Sequence, residues 1–151
     1  MKMTLVLTMV GLLTGGSDST QMRGVWKAVE VTFSEPAMTI TPGPNLSIFA
    51  GTHYTRTLLA GDQSPVTDPA HATADQLRAA WGSFVGESGT YQMAAVALTL
   101  RPMVAKSGAA VGKPIVYSYR FVDNDTLLVT TVSDRHGPVA HPETIKLVRV
   151  E

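Results

Sequence analysis

The sequence predicts an all-β domain of eight antiparallel strands, closed as a barrel or packed as a sandwich, with one helix set among them. Three observations carry this expectation. Short runs rich in Val, Ile, Thr, Tyr and Leu recur at fairly regular spacing, each bounded by Gly, Pro, Asn or Asp. A single segment shows helical periodicity, and 151 residues suit one domain large enough to bury a core.

The N-terminus, MKMTLVLTMVGLLTGG, places one Lys before an apolar run that ends at Leu13 and small residues at Thr14, Gly15 and Gly16. A run of about a dozen apolar residues is too short for a transmembrane span but suits a secretory signal. Residues 1–21 are therefore set aside as a signal peptide or disordered leader, and 22–151 taken as the domain. The expected location is periplasmic or secreted, and otherwise cytoplasmic.

The first strand is GVWKAVEVTF, residues 24–33. Residues 46–50 and 53–59 flank a Gly51-Thr52 break, and 90–93 and 95–101 follow. The runs 115–122 and 126–132 are joined by Asp123-Asn124-Asp125, a hairpin turn by chemistry and by length, and 144–150 closes the series. Eight is also the number of strands whose closed barrel can hold one small ligand. The exception is TADQLRAAWGSFVG: Thr73 and Gln76 form a capping box, Leu77, Ala80, Trp81 and Phe84 recur at i, i+3, i+4 and i+7, and Gly86 supplies a stop. This predicts an amphipathic helix over about 73–85, its apolar face laid on the sheet or its open end as a structural plug.

Charge excludes one class. Twelve basic residues balance twelve acidic ones with no basic run, so a nucleic-acid footprint is missing. No cysteine is present, which removes disulfides, thiolate metal sites and Cys nucleophiles. His53 lies in a strand, and His71, His136 and His141 lie in loops. The HGPVAH spacing contains a Pro and does not fix a ligand pair, so no metal and no cofactor are implied. GESGT around Ser88 lacks the final Gly of a nucleophile elbow, and the acids Asp123, Asp125 and Asp134 have Leu128 where a calcium loop needs Gly.

Gly24-Val25-Trp26-Lys27, ESGTYQM at 87–93, YRFVDNDTLLVTT at 119–131 and IKLVRV at 145–150 together resemble the small bacterial lipocalin-like domains of the calycin superfamily, in order over about 130 residues. The resemblance implies an up-and-down eight-stranded barrel with one closed and one open end. It implies structural roles for Trp26, plugging the closed end, and Arg149, packing across it; a guanidinium on an indole face is itself worth about 0.5–2 kcal/mol. The other animal-lipocalin motifs and disulfides are missing here.

Strand alternation poses the question of the interior. If Trp26 points inward, Ala28, Glu30 and Thr32 follow; a bulge past Ala28 would instead put Val29, Val31 and Phe33 inside. Ile115, Tyr117, Tyr119 and Phe121 share one face, and Tyr91, His53 or Tyr54, and Arg56 are placed to converge with them. Apolar rings with a few polar groups are the usual lining of a small-molecule site, so Tyr54, Arg56, Tyr91, Tyr117 and Tyr119 are the candidate ligand contacts. The expected function is binding or carriage of a small hydrophobic molecule. The alternative is a cyclase- or isomerase-type enzyme in which a desolvated Glu30, partnered by His53 or a Tyr, acts as acid or base. Nothing in the residues fixes an oligomeric state.

Overall fold

The computed structural model describes residues 16–59 and 66–151; the apolar run to Leu13, with Thr14 and Gly15, lies outside the described residues. Among the described residues ten strands follow a short N-terminal helix, α1 (Gly16–Met22): β1 (Gly24–Ser34), β2 (Ala37–Ile40), β3 (Asn45–Ala50) and β4 (His53–Leu59). After α2 (Ala74–Ser83) come β5 (Phe84–Ala94), β6 (Ala97–Ala105), β7 (Ile115–Phe121), β8 (Thr126–Asp134), β9 (Gly137–Pro138) and β10 (Glu143–Arg149). Eight of them run in the order β1-β3-β4-β5-β6-β7-β8-β10, and β10 pairs back onto β1, so the antiparallel sheet closes into a barrel. The short β2 and β9 extend β1 and β8 beyond it.

Alternation explains the core. Tyr54, Tyr91, Leu98, Leu100, Tyr117, Tyr119, Leu127, Val129 and Leu147 occupy every second strand position and are buried together with Phe49 and Trp26. One end is sealed. Trp26 is fully buried, its Nε1 donates to the Met22 carbonyl at 2.8 Å, and the Arg149 guanidinium lies 4.3 Å from the ring centroid. Arg149 also donates to the carbonyls of Gln21 and Arg23, at 2.6 and 2.7 Å, tying α1 across the barrel floor. Gly24 is required here: its φ is +131°, and a Cβ would stand 2.5 Å from Arg149 Nη1. Met22, the first residue of the domain, fills the floor, and the carbonyl of Gln21 just before it accepts from Arg149 of the last strand.

The bulge in β1 settles its direction. Ala28 opposes Leu147 and Glu30 opposes Lys146, so Val29 is the extra residue and the strand changes face there. Val31 then points inward opposite Ile145, and Glu30 is exposed on the outer wall. Asn45 fills the gap this opens between β1 and β3: its side chain accepts from the Ala28 N–H at 2.7 Å and donates to the Ala28 carbonyl at 2.9 Å.

The helix differs from its expected role. The capping box of Thr73 and Gln76 is formed, but no residue of α2 is buried, and Leu77 and Trp81 are 42% and 61% exposed. Phe84 belongs to β5, with φ −85° and ψ 131°, rather than to the helix face. What holds α2 is polar: the Lys106 ammonium donates to the carbonyls of Trp81 and Phe84 and sits 5.2 Å from the Trp81 ring centroid. α2 is therefore an appendage at the open end and not a plug.

Candidate functional site

The half of the barrel above the β1 bulge encloses a cavity of about 250 Å³. Its wall is largely apolar, with Ala28, Val31, Phe49, Leu58, Val85, Leu98, Leu100, Val129, Ile145 and Leu147. Arg56, Tyr117, Asn45 and Glu143 supply its polar atoms, with Ser47 and Thr57. A wider depression of about 410 Å³, between Ile48, His53, Met103 and Val104, lies on the outer wall and gathers no comparable set of polar groups.

A buried polar cluster underlies the cavity. Arg56 and Glu87 are direct cross-strand partners on β4 and β5, with Arg56 Nε 2.8 Å from Glu87 Oε1. That Nε–H is not aligned on the carboxylate, so the contact is an ion pair without an aligned hydrogen bond. Tyr54 donates to the same oxygen at 2.8 Å, and Arg56 Nη1 donates to the Tyr117 hydroxyl at 2.8 Å. Glu87 is 6% exposed, whereas Arg56 keeps 27% of its side-chain surface open to the cavity it lines. Burial works against the Arg56 charge, but the adjacent Tyr117 oxygen and the Glu87 carboxylate outweigh it and raise the pKa, so the guanidinium holds its proton. Burial, followed by the hydrogen bond to Glu87, raises the Tyr54 phenol far above its ordinary 10.0.

Glu87 points inward by unbroken alternation with Gly89 and Tyr91 along β5; where β5 meets β6 the extra residue is Met103 of β6, opposite Ser88 and Gly89. Only Gly fits there, since a Cβ on Gly89 would lie 2.0 Å from the Arg101 carbonyl oxygen.

Of the candidate ligand contacts, Arg56 and Tyr117 line the cavity. Tyr54 stands behind them, against Glu87. Tyr91 and Tyr119 lie in the sealed half, where they donate to the Gly51 and Ala95 carbonyls at 3.0 and 2.8 Å. Glu30 and His53, the pair considered for acid–base chemistry, are not brought together. The Val29 bulge turns Glu30 out, and His53 is exposed because Tyr54 takes the inward position. Sequence reasoning missed Glu87 and Glu143; the signal for the first was the i, i+2, i+4 series Glu87, Gly89, Tyr91 on one strand face. Among the described residues no three His, Asp or Glu side chains gather into a metal-binding group, and no helix is long and apolar enough to cross a membrane.

No family model and no curated protein matches the sequence. Solved structures do. A lipocalin-like protein from Bacteroides uniformis aligns over 83% of this chain and 96% of its own, at 8% identity and a TM-score of 0.51. A redesigned β-barrel aligns over 88% and 95%, at 10% identity and the same TM-score. The fold is lipocalin-like. At such low identity the likeness concerns the barrel and its closure.

Proposed function

We propose that the protein binds and carries a small, mostly apolar molecule inside its barrel, from a periplasmic or extracellular location. The observation that supports this best is the cavity of about 250 Å³, apolar along most of its wall, above a floor sealed by Trp26 and Arg149. Export rests on the leader composition. Cleavage near Gly16 would leave the floor residues Gln21 and Met22 on the mature chain. The N-terminal mass of the protein recovered from its native host tests this part directly.

The binding reading is tested by titrating the purified protein with 1-aminoanthracene, a small neutral fluorophore. Wild type is expected to enhance and blue-shift its emission. Ala28→Phe, which fills the cavity from β1 without removing a core side chain, is expected to abolish the enhancement while the circular dichroism stays unchanged. Equal enhancement by both proteins would place the dye outside the barrel and sink the reading.

A further inference from the structure

The chemistry of the ligand's polar end can be read from the unused donors of the cavity, given the carrier role proposed above. Arg56 has five N–H bonds. One goes to Tyr117, and Nε–H lies against Glu87, which leaves the remaining Nη1 and Nη2 hydrogens without a protein acceptor among the described residues. The Tyr117 hydroxyl accepts from Arg56, and its own proton has no acceptor there either. Two adjacent donors therefore face a largely apolar space. These donors keep surface open to the cavity, so a ligand that displaces water from them must replace its hydrogen bonds, and the site favours an oxygen acceptor.

Charge narrows the acceptor further. Arg56 is the only cation lining the cavity among the described residues. Glu87 already sits on it at 2.8 Å, and Glu143 adds a second carboxylate to the wall. A bound carboxylate would be the third negative group around one positive one, in a confined and poorly solvated space. A neutral carbonyl oxygen accepts from the same donors without that repulsion. A volume of about 250 Å³ suits a short chain or a small ring.

We infer that the ligand is a small neutral carbonyl compound, a ketone, lactone, ester or amide, whose oxygen accepts from Arg56 and Tyr117 while its hydrocarbon part fills the space towards Leu98, Val129 and Ile145. Glu87 acts as the residue that excludes acids, by neutralising Arg56 from behind.

The test is calorimetric titration with octan-2-one and with octanoate at about pH 7.5. Wild type is expected to bind the ketone at least about 10-fold tighter, a difference of ~1.4 kcal/mol. Tyr117→Phe is expected to weaken the ketone about 5-fold or more by deleting one donor. Glu87→Gln frees the Arg56 charge and is expected to reverse the order, octanoate becoming the tighter ligand. Equal or tighter binding of octanoate by wild type overturns the inference and leaves the carrier role standing. Failure of both compounds, together with 1-aminoanthracene, to bind overturns both. The wild-type comparison decides the matter even if a variant does not fold.

Discussion

The two halves of the barrel use the same residue types for opposite ends. In the sealed half four polar side chains donate to backbone carbonyls: Trp26 to Met22, Arg149 to Gln21 and Arg23, Tyr91 to Gly51 and Tyr119 to Ala95. In the open half Arg56, Glu87, Tyr54 and Tyr117 bond to one another and leave donors over. Backbone carbonyls held in the short helix and the tight turns at this end satisfy a side chain permanently, and a cluster of side chains facing a cavity does so only in part. The difference separates a region built for stability from one built to receive something.

Breaking the sealed half gives the largest expected effect. Trp26→Ala removes a fully buried ring together with the face on which Arg149 rests, a loss of about 3–5 kcal/mol. Denaturant titration is expected to show a midpoint shifted far down or no cooperative transition. A midpoint near that of wild type would mean that Trp26 does not hold the floor.

The open half responds more specifically. Arg56→Met leaves the Glu87 carboxylate buried without its cation, at a cost of ~3 kcal/mol. Arg56→Met combined with Glu87→Leu removes both charges and is expected to recover most of that loss, without recovering ketone binding. Measured by the same titration, a double variant no more stable than the single one would show that the pair is not coupled.

Alkaline titration sharpens the comparison with a smaller effect. The Tyr54 phenol has a pKa raised above its ordinary 10.0, by burial and then by Glu87. Below about pH 10 the folded and unfolded chains both hold this proton. Above it the unfolded chain releases the proton and the native one does not, so stability falls by up to ~1.4 kcal/mol per pH unit. Tyr91 in the sealed half is raised too, chiefly by burial, and adds a decline of the same sign. Tyr54→Phe is expected to flatten the fall in unfolding midpoint between about pH 9 and about pH 11 without abolishing it. An unchanged slope would show that Tyr54 ionises as freely in the native state as in the unfolded chain.

The sealed half was the more legible of the two in the sequence, for a physical reason. A strand signal needs alternation and a turn signal needs Gly, Asn or Asp, and both are local; the pairing of Trp26 with Arg149 came with the resemblance that set the first and last strands side by side. The open half depends on register, which is not local. Ala28, Val29 and Val31 are all small or apolar, so neither face of β1 declared itself, and only the pairing with β10 puts the extra residue at Val29. Glu87 was in phase with Tyr91 on the same strand face, but its burial depends on the cross-strand partner Arg56, which only the pairing of β4 with β5 supplies. Phe84 continued the helical spacing of Leu77 and Trp81 but was taken by the sheet, where it opposes Leu59. Tertiary pairing overrode periodicity there.

Glu30→Gln carries the smallest expected effect and tests the dividing line itself. The Val29 bulge is where β1 passes from the sealed half to the open one, and it decides that Val31 faces the cavity while Glu30 faces solvent across from Lys146. An exposed carboxylate of this kind changes stability by no more than about 0.5 kcal/mol when neutralised. Its loss is expected to leave both the unfolding midpoint and the affinity for octan-2-one at their wild-type values. A register without the bulge would put the same acid inside, close to Arg56, and its neutralisation would then move ligand affinity and its pH dependence together. An inert Glu30→Gln beside a Glu87→Gln that reverses ligand preference therefore fixes the strand register in solution, and with it which acid of the barrel governs what can enter.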